Sequence, residues 1–291
     1  MSGKSVAFLG LGVMGYPMAG HLAGKGHKVT VYNRTAAKAE KFVAQHSGAQ
    51  AAKTPRAAAE GAEFVFCCVG NDDDLRAVTL SSDGAFAGMG PGAIFVDHTT
   101  ASAEVARELF AAANARGLGA IDAPVSGGQA GAENGALTIM CGAEPEVYAM
   151  AEPIMASYAR ACRLMGPPGS GQLTKMVNQI AIAGLIQSLS EALHFAKTAG
   201  LDAAAVIDLI KNGAAQSWQM ENRTKTMLAG EFDHGFAVEW MRKDLAICLA
   251  EARRNGAKLP VAALIDQFYA EVEAMGGKRW DTSSLIARLE R

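Results

Sequence analysis

Three polar side chains near the middle of the chain have the spacing of a catalytic group on one helix face. Lys175, Asn178 and Gln179 stand at positions i, i+3 and i+4, so in a helix their side chains share a face. Their neighbours Met176 and Val177 are apolar, and burial beside them would lower the pKa of the lysine toward neutrality, which suits a general acid or base. A lysine that extends past this apolar surface into solvent is the structural alternative. On spacing alone, that alternative is the more common one.

A second group of polar atoms follows a predicted strand that ends near Asp122. Ser126 offers a hydroxyl, and Gly127 and Gly128 offer accessible backbone N–H groups. Ligands bind beyond the carboxyl ends of strands in doubly wound sheets, so these groups suit a carboxylate bound without a cationic side chain. An ordinary glycine turn explains the same residues equally well.

A glycine pattern at the start of the chain is typical of dinucleotide binding. An apolar run leads into it and an amphipathic run follows, an order that predicts strand, tight turn and helix. Gly10 permits the turn, Gly12 lets a pyrophosphate approach the backbone, and Gly15 lets the helix pack against the sheet. Glycines gathered in an ordinary turn are the alternative, which the strand-to-helix position disfavours. The predicted phosphate-binding residues are Gly10, Leu11, Gly12, Val13, Met14 and Gly15.

The residues after the second predicted strand indicate which nicotinamide cofactor is preferred. NAD-binding units usually carry an acidic residue about 20 residues past the glycines, whereas here Asn33, Arg34 and Thr35 occupy that position. A carboxylate would repel a 2′-phosphate, but a guanidinium pairs with it. The sequence therefore predicts NADP(H) as the preferred cofactor and NAD(H) as the alternative. An arginine that is merely solvated at a strand end is the structural interpretation.

Length and charge restrict the classes of function. The chain has 291 residues, 50% of them hydrophobic, and a formal net charge of −2. One large or two ordinary domains fit this length, and the charge argues against nucleic acid or an anionic membrane as a partner. No apolar run reaches the ~20 residues of a membrane helix, and the first residues lack a signal-peptide pattern. We therefore expect a cytoplasmic protein with neither kind of partner.

Cysteine and histidine spacing argues against a metal site. The cysteines contain no Cys-x-x-Cys pair, and the histidines are scattered, so we expect no metal and free thiols in a reducing compartment. Three cysteines lie in apolar, strand-like runs and are expected to be buried: Cys67, Cys68 and Cys141.

Strand and helix patterns alternate up to about residue 165. Apolar and β-branched runs predict strands at 6–9, 28–32, 64–69, 94–97, 119–123 and 138–141. Helices are predicted between them at 16–25, 36–46, 54–60, 72–79 and 102–116. Alternation of this kind predicts a doubly wound parallel sheet.

Helical patterns alone follow the segment from Gly166 to Gly169. They predict a long helix at 172–199 and further helices at 202–212, 217–229, 238–256, 260–275 and 281–290. The predicted fold class is therefore α/β. A Rossmann domain covers residues 1–165, and an all-α domain for substrate binding and oligomerisation covers residues 166–291.

Four segments together closely resemble the β-hydroxyacid dehydrogenase family. They are residues 10–19, 122–128, 169–178 and 243–245, in the family's order and across essentially the whole chain. This family includes 3-hydroxyisobutyrate dehydrogenases, tartronate semialdehyde reductases and glyoxylate/succinic semialdehyde reductases. The resemblance implies an NAD(P)-dependent enzyme that interconverts a short β-hydroxy acid and its semialdehyde, usually as a homodimer or homotetramer.

The resemblance also implies roles for individual residues. Lys175 is implied as the general acid/base, and Asn178 as a residue that orients a small carboxylate substrate. Thr100 and Lys243 match family positions near the cofactor. The implied anchors of the substrate carboxylate are Ser126, Gly127 and Gly128.

Some positions depart from the family pattern or point to different subfamilies. Val69 and Gly70, in the predicted cofactor loop, stand where the family often has Leu-Pro. Gln179, a predicted substrate contact, resembles tartronate semialdehyde reductases, whereas many members have Asn there. The segment 33–35 is instead similar to NADPH-using semialdehyde reductases. The substrate therefore stays open.

Three other functions are compatible with a dinucleotide-binding chain of this kind, and each is disfavoured by a feature of the sequence. An imine reductase is disfavoured by Lys175, because similar imine reductases usually carry another residue there. A decarboxylating sugar-phosphate dehydrogenase is disfavoured by the short second half and by the lack of an extra basic cluster. A non-catalytic NADP-binding sensor is disfavoured by the intact set of Ser126, Lys175 and Asn178. Trp218, Phe236 and Trp240 are expected either to line a substrate pocket or, as is more common, to pack in a core.

Overall fold

The computed structural model describes residues 3–290. By density of internal contacts, the chain divides into two compact units, one ending at Lys175 and the other beginning at Met176. This division lies inside a long helix, a short distance beyond the segment from Gly166 to Gly169 at which the sequence pattern changes.

Among residues 3–290, nine strands form one sheet, all in the first unit. Their bounds are β1 Ser5–Leu9, β2 Lys28–Tyr32, β3 Gln50–Ala51, β4 Phe64–Cys67, β5 Ile94–Asp97, β6 Gly119–Asp122, β7 Val125–Ser126, β8 Leu137–Gly142 and β9 Ala159–Gly166. The helices between them are α1 Gly15–Gly24, α2 Ala36–Gln45, α3 Pro55–Ala59, α4 Asp72–Thr79, α5 Ala85–Gly88, α6 Ala103–Asn114, α7 Gly128–Glu133 and α8 Pro145–Met155.

Parallel pairing connects the strands in the order β3-β2-β1-β4-β5-β6. From β1 the chain first builds outward through β2 and β3, and then returns to the other side of β1 with β4. This reversal is the topological switch point at which doubly wound sheets bind ligands. The carboxyl ends of these strands lie along one edge of the sheet, so the loops that follow them are neighbours.

The last strands add antiparallel pairing at one side of the sheet. β8 runs antiparallel to β6 and β7, and β9 runs parallel to β8. Since β6 and β7 are both antiparallel to β8, they run in the same direction, interrupted only by Ala123 and Pro124. The predicted α/β fold class is confirmed as a mostly parallel sheet, and this antiparallel pairing was not predicted.

The central strands β1, β4 and β5 are buried on both faces, which explains their near-continuous apolar sequences. In β1, Phe8 packs in one core cluster with Met18 of α1, whereas Leu9 packs in the other with Val105 of α6. Successive strand residues point to opposite faces, so a strand covered by helices on both sides must be apolar throughout.

The second unit is helical. Its elements are the rest of α9, which runs Ser170–Thr198, then α10 Ala203–Ile210, α11 Trp218–Ala229, α12 Val238–Asn255, α13 Pro260–Ala274 and two 3₁₀ helices at Gly277–Arg279 and Thr282–Arg288. Two core clusters form there, one around Leu245 and Tyr269 and the other around Leu193 and Met227. Among residues 3–290, no helix is long and apolar enough to cross a membrane.

Local signals account for several element boundaries. The Thr54 hydroxyl accepts a hydrogen bond from Ala57 N at 3.1 Å, as an N-cap before a first-turn proline should. β2, α4 and β5 have the predicted bounds. The described elements that sequence analysis missed are β3, α5, β7, α7, α8, β9 and the 3₁₀ helix Gly277–Arg279.

Candidate functional site

The glycine loop between β1 and α1 has the geometry that a nucleotide site requires. Gly10 has a φ of +96°, and a Cβ there would lie 2.2 Å from Cys68 O. A Cβ on Gly15 would lie 1.9 Å from Gly10 O. A Cβ on Gly12 would meet nothing within 4 Å, so the backbone is open to a ligand there. Two of the three glycines therefore serve the fold, and Gly12 leaves space for a phosphate.

Backbone donors at this loop suit an anionic group. Within residues 3–290, the amides of Val13 and Met14 donate to no protein acceptor, and Met14 precedes α1 without a side-chain cap. Amides at a helix start attract phosphate through their hydrogens and the helix dipole. The residues present therefore fit the pyrophosphate of a dinucleotide.

Asn33 connects the end of β2 to the glycine loop. Its Oδ1 accepts from Leu11 N at 2.8 Å, and its Nδ2 donates to Thr35 O at 3.0 Å. Thr35 is the N-cap residue of α2 but makes no side-chain capping bond. Asn33 thus holds together two of the segments predicted to contact the cofactor.

Arg34 is exposed beside the same loops. Its side chain is 86% exposed, and Nη1 donates to Asp74 Oδ1 at 3.2 Å. Asp74 lies in α4, whose first turn also carries Asp72 and Asp73. The guanidinium is therefore accessible to a phosphate, but it already has a carboxylate neighbour.

The loops after β4 and β5 are joined by a hydrogen bond between a backbone amide and a side-chain hydroxyl. Val69 N donates to Thr99 Oγ1 at 3.0 Å, and Gly70 and Thr100 are half-buried. Thr99 O accepts from Nε2 of Gln172 at 2.7 Å. These contacts fix the loops in which Val69, Gly70 and Thr100 were predicted to contact the cofactor.

Two buried titratable residues lie at the end of β5. Asp97 is the last residue of the strand, and His98 follows it. Burial raises the pKa of Asp97 to about 7, against the opposing effect of hydrogen bonds from Thr99. Burial lowers the pKa of His98 to about 4. His98 contacts Ala123 O through Nδ1 at 2.7 Å and the Tyr158 hydroxyl through Nε2 at 2.8 Å. A neutral imidazole that donates from Nδ1 and accepts at Nε2 satisfies both bonds.

The predicted carboxylate anchor lies just after β6. Ser126 is half-buried in β7, and Gly127 and Gly128 are exposed. Gly127 has a φ of +132° and Gly128 a φ of +60°, values that favour glycine over residues with a Cβ. The backbone here is open and conformationally specific to glycine.

Asp122 fixes the start of α9. Its carboxylate accepts from Gly169 N at 2.7 Å and from Gln172 N at 2.9 Å. Burial raises the pKa of Asp122 to about 7, and the backbone N–H groups oppose that rise. Buried Gln172 adds a bond from Ala101 N to its Oε1 at 3.1 Å. Asp122 and Gln172 are supporting residues that sequence reasoning missed, since only their burial and partners identify them.

Lys175 and Asn178 lie one turn apart on α9. Lys175 is 8% exposed, so the alternative of a solvated surface lysine is wrong. Asn178 is half-buried, and its Nδ2 donates to Gln179 Oε1 at 2.7 Å.

Gln179 connects Asn178 to a buried carboxylate through hydrogen bonds. Its Nε2 donates to Asp244 Oδ2 at 2.6 Å, and Lys243 Nζ lies 3.1 Å from Asp244 Oδ1. Three predicted site residues, Asn178, Gln179 and Lys243, are thereby connected. Asp244, the residue that connects them, was not itself predicted to have a role.

The aromatic residues singled out from the sequence are not core residues. Trp218 is 57% exposed, Phe236 38% and Trp240 37%, so the more common expectation of core packing was wrong. Among residues 3–290, no cluster of three or more His, Cys, Asp or Glu side chains could hold a metal ion. In that same range none of the five cysteines forms a disulfide bond, and Cys68, expected to be buried, is half-buried.

Two family models match consecutive parts of the chain. A model described as the NAD binding domain of 6-phosphogluconate dehydrogenase matches residues 5–166. A second, described as NAD-binding of NADP-dependent 3-hydroxyisobutyrate dehydrogenase, matches residues 169–289. Together they cover both the sheet and the helical half.

Individual proteins match over nearly their full length. An uncharacterized oxidoreductase from Shewanella frigidimarina is 63% identical over 98% of this chain and 98% of its own. The NAD-dependent L-serine dehydrogenase of Pseudomonas aeruginosa is 31% identical over 91% of each chain. The structure of Mycobacterium tuberculosis 3-hydroxyisobutyrate dehydrogenase with L-serine has a TM-score of 0.89 and 28% identity, and covers 99% of this chain and 100% of that one.

Proposed function

The chain is a member of the β-hydroxyacid dehydrogenase family of NAD(P)-dependent oxidoreductases, and we propose that it interconverts a short β-hydroxy acid and the corresponding semialdehyde. The observation that carries the proposal is the buried Lys175, one helical turn before Asn178 on α9. A buried lysine beside a polar amide suits proton transfer to a reacting oxygen.

Each proposed role follows from the chemistry of one group. A bound nicotinamide supplies or accepts the hydride. The Ser126 hydroxyl and the amides of Gly127 and Gly128 bind the substrate carboxylate. In reduction, the ammonium of Lys175 polarises the carbonyl oxygen and donates a proton to it. In oxidation, the neutral amine of Lys175 takes the hydroxyl proton.

The glycine loop and its neighbours would hold the cofactor. The loop amides would bind the pyrophosphate, and Asn33, Thr35, Val69, Gly70, Thr100 and Lys243 would complete the site. NADP(H) is the proposed preference, because Arg34 is accessible to a 2′-phosphate and no carboxylate occupies the usual ribose-binding position. NAD(H) is the alternative cofactor, and the Pseudomonas relative is named NAD-dependent.

The substrate class is tested by following NADPH absorbance with purified protein. The aldehyde acids are methylmalonate semialdehyde, tartronate semialdehyde, succinic semialdehyde and glyoxylate, with NADH in parallel. In the oxidative direction, 3-hydroxyisobutyrate and L-serine are added, since two of the similar proteins are named for or contain them. Turnover of one compound supports the proposal and reports substrate size. Tight NADPH binding without turnover of any compound contradicts it.

Two alternatives make different predictions in the same assay. An imine reductase would consume NADPH with a cyclic imine and not with aldehydes. A non-catalytic sensor would bind NADPH tightly and turn over neither class. Lys175 disfavours the first alternative, and the polar set around Asn178 disfavours the second.

A homodimer or homotetramer in the cytoplasm is the proposed assembly and location. Large apolar side chains are exposed on the helical unit, among them Phe195 at 70%, Leu209 at 83% and Leu201 at 53%. Apolar surface of this extent is typical of faces that are covered by another chain. Neither nucleic acid nor a membrane is a proposed partner.

A further inference from the structure

We infer that Asp244 is a positioning residue for the proposed reaction, because through Gln179 it fixes which end of the Asn178 amide points into the site. This inference rests on the proposed function for its catalytic consequence. The donor and acceptor directions on which it depends can be measured without an activity assay.

The relay starts from a buried carboxylate. Asp244 is 2% exposed and Gln179 is also 2% exposed, and the bond between Gln179 Nε2 and Asp244 Oδ2 is short, at 2.6 Å. The Lys243 ammonium lies 3.1 Å from the other carboxylate oxygen, and a positive charge at that distance favours the ionised carboxylate. An ionised carboxylate can only accept hydrogen bonds.

Hydrogen-bond polarity then passes along the relay without ambiguity. Because Asp244 only accepts, Gln179 must present its NH₂ group to it. The oxygen of Gln179 therefore faces Asn178, which must donate from Nδ2, as it does at 2.7 Å. Side-chain amide orientations are ordinarily assigned from such networks, and here the carboxylate leaves only one consistent assignment.

The consequence is that the two ends of the Asn178 amide have fixed positions. One of the two Nδ2 hydrogens is engaged by Gln179, and Oδ1 can accept from an N–H or O–H donor, such as an ammonium or the hydroxyl of a β-hydroxy acid. The relay therefore fixes where Asn178 Oδ1 can accept a hydrogen bond from a donor group of the substrate.

Exchanging the two ends of the relay gives a rescue test. In D244N, the new amide can turn either end toward Gln179, so the orientation of Asn178 is no longer fixed. In Q179E, two carboxylates face each other, and activity should fall as the pH rises and residue 179 ionises. In the double variant Q179E/D244N, the carboxylate at 179 accepts from both Asn178 and the amide at 244, so the orientation of Asn178 is restored.

We expect kcat to fall about 10–100-fold in D244N, as for other supporting partners of a site residue. The double variant should recover most of that loss, and Q179E alone should show a new descending limb in its pH profile. The matched control is E191Q. It makes the same carboxylate-to-amide change at a similar bond, from Gln187 Nε2 to Glu191 Oε1 at 2.6 Å on the same helix, and should leave kcat within twofold. Cofactor affinity, measured by fluorescence, separates loss of the Lys243 pair from loss of orientation.

A turnover-independent measurement completes the test. The side-chain NH₂ signals of Gln179 and Asn178 can be assigned in ¹⁵N NMR spectra by comparison with Q179E and N178D. Their hydrogens should exchange slowly with solvent water in the wild type and rapidly in D244N. Slow exchange combined with an inert enzyme would overturn the proposed function and keep the relay. Rapid exchange in the wild type, or a double variant no better than D244N, would overturn the relay itself.

Discussion

Lys175 is the residue on which the proposed chemistry depends most directly. Replacement by alanine removes the proton donor and leaves every proposed cofactor contact in place. We expect Lys175→Ala to lower kcat by a factor on the order of 10²–10⁴, with NADPH affinity within about threefold of the wild type. Steady-state kinetics and fluorescence titration measure the two quantities. The control is Lys211→Ala, which removes an exposed lysine at the end of α10. Near-normal turnover of Lys175→Ala would contradict a role of Lys175 in proton transfer.

Arg34 and Asp74 together should set cofactor preference. Arg34→Asp replaces the phosphate partner with a repelling charge, so the ratio of kcat/KM for NADPH over NADH should fall about 10–100-fold. Asp74→Asn frees the guanidinium from its 3.2 Å ion pair and should raise the same ratio by about 2–5-fold, since an exposed pair contributes little. The control is Asp73→Asn, one residue away, with a side chain that is 96% exposed. Unchanged ratios in Arg34→Asp would contradict the assignment.

Substitutions in the turn between β1 and α1 should distinguish effects on folding from effects on cofactor binding. Gly10→Ala forces a Cβ to 2.2 Å from Cys68 O at a φ of +96°, so it should lower the free energy of unfolding by about 2 kcal/mol or more. Gly12→Ala meets nothing within 4 Å and should unfold like the wild type, while NADPH binds at least about tenfold more weakly. Denaturant titration and fluorescence distinguish the two. Equal NADPH affinity in Gly12→Ala and the wild type would argue against a pyrophosphate at this turn.

The end of β5 gives a pH dependence of stability. Burial raises the pKa of Asp97 from 3.8 to about 7, so between these pH values the folded chain binds more protons than the unfolded chain. The stability gained in this way is complete below pH 3.8 and lost as the pH rises through about 7. From pH 4 to pH 8, the free energy of unfolding of the wild type should therefore fall by about 2–4 kcal/mol more than that of Asp97→Asn.

His98 has the opposite dependence, and the comparison cancels it. Its pKa is lowered to about 4, so its contribution to stability is lost as the pH falls from 6.5 toward 4. The same change occurs in the wild type and in Asp97→Asn. Urea titrations of both proteins at each pH therefore report Asp97 together with its repulsion from Asp122, and parallel curves would show that the Asp97 carboxyl is not perturbed.

Elements with strong local signals were predictable from the sequence. α4 begins after Asn71, whose Oδ1 accepts from Asp74 N, and β5 is a fully buried apolar run. β9 was not predictable in this way, because its residues are mostly exposed or half-buried and include Arg160 and Arg163. The direction of β8 is set by its pairing with β6 and β7, which the apolar pattern of β8 itself does not encode.

Candidate site residues likewise include some that the sequence identifies and others that it does not. The glycine loop was identifiable because its chemistry requires glycines at a fixed spacing, whereas Lys175 was singled out by the family resemblance, since its spacing alone favoured a solvated lysine. Asp122, Gln172 and Asp244 were not, because each acts through a partner that is distant in sequence. A buried polar side chain becomes informative only when the atoms that satisfy it are known.

At the scale of the whole molecule, the exposed apolar groove on the helical unit predicts self-association. Phe195 and Leu201 line it, together with Ala192, Ala196 and Val206. We expect a homodimer or homotetramer by light scattering, and Phe195→Glu should shift the protein to smaller species because it places a charge in a desolvated interface. Glu191→Gln, at the edge of the same groove, is the control. A wild-type monomer at micromolar concentration would contradict the proposed assembly.

Asp122 helps to position two separate parts of the candidate site. The loop to Ser126 leaves from it directly, and its carboxylate holds Gly169 and Gln172 at the start of the helix that carries Lys175. If Ser126 and Lys175 have the proposed roles of carboxylate anchor and proton donor, both are positioned from this one residue, and their separation corresponds to one length of substrate. We therefore expect kcat/KM to depend more strongly on the chain length of the substrate than on the shape of its substituent.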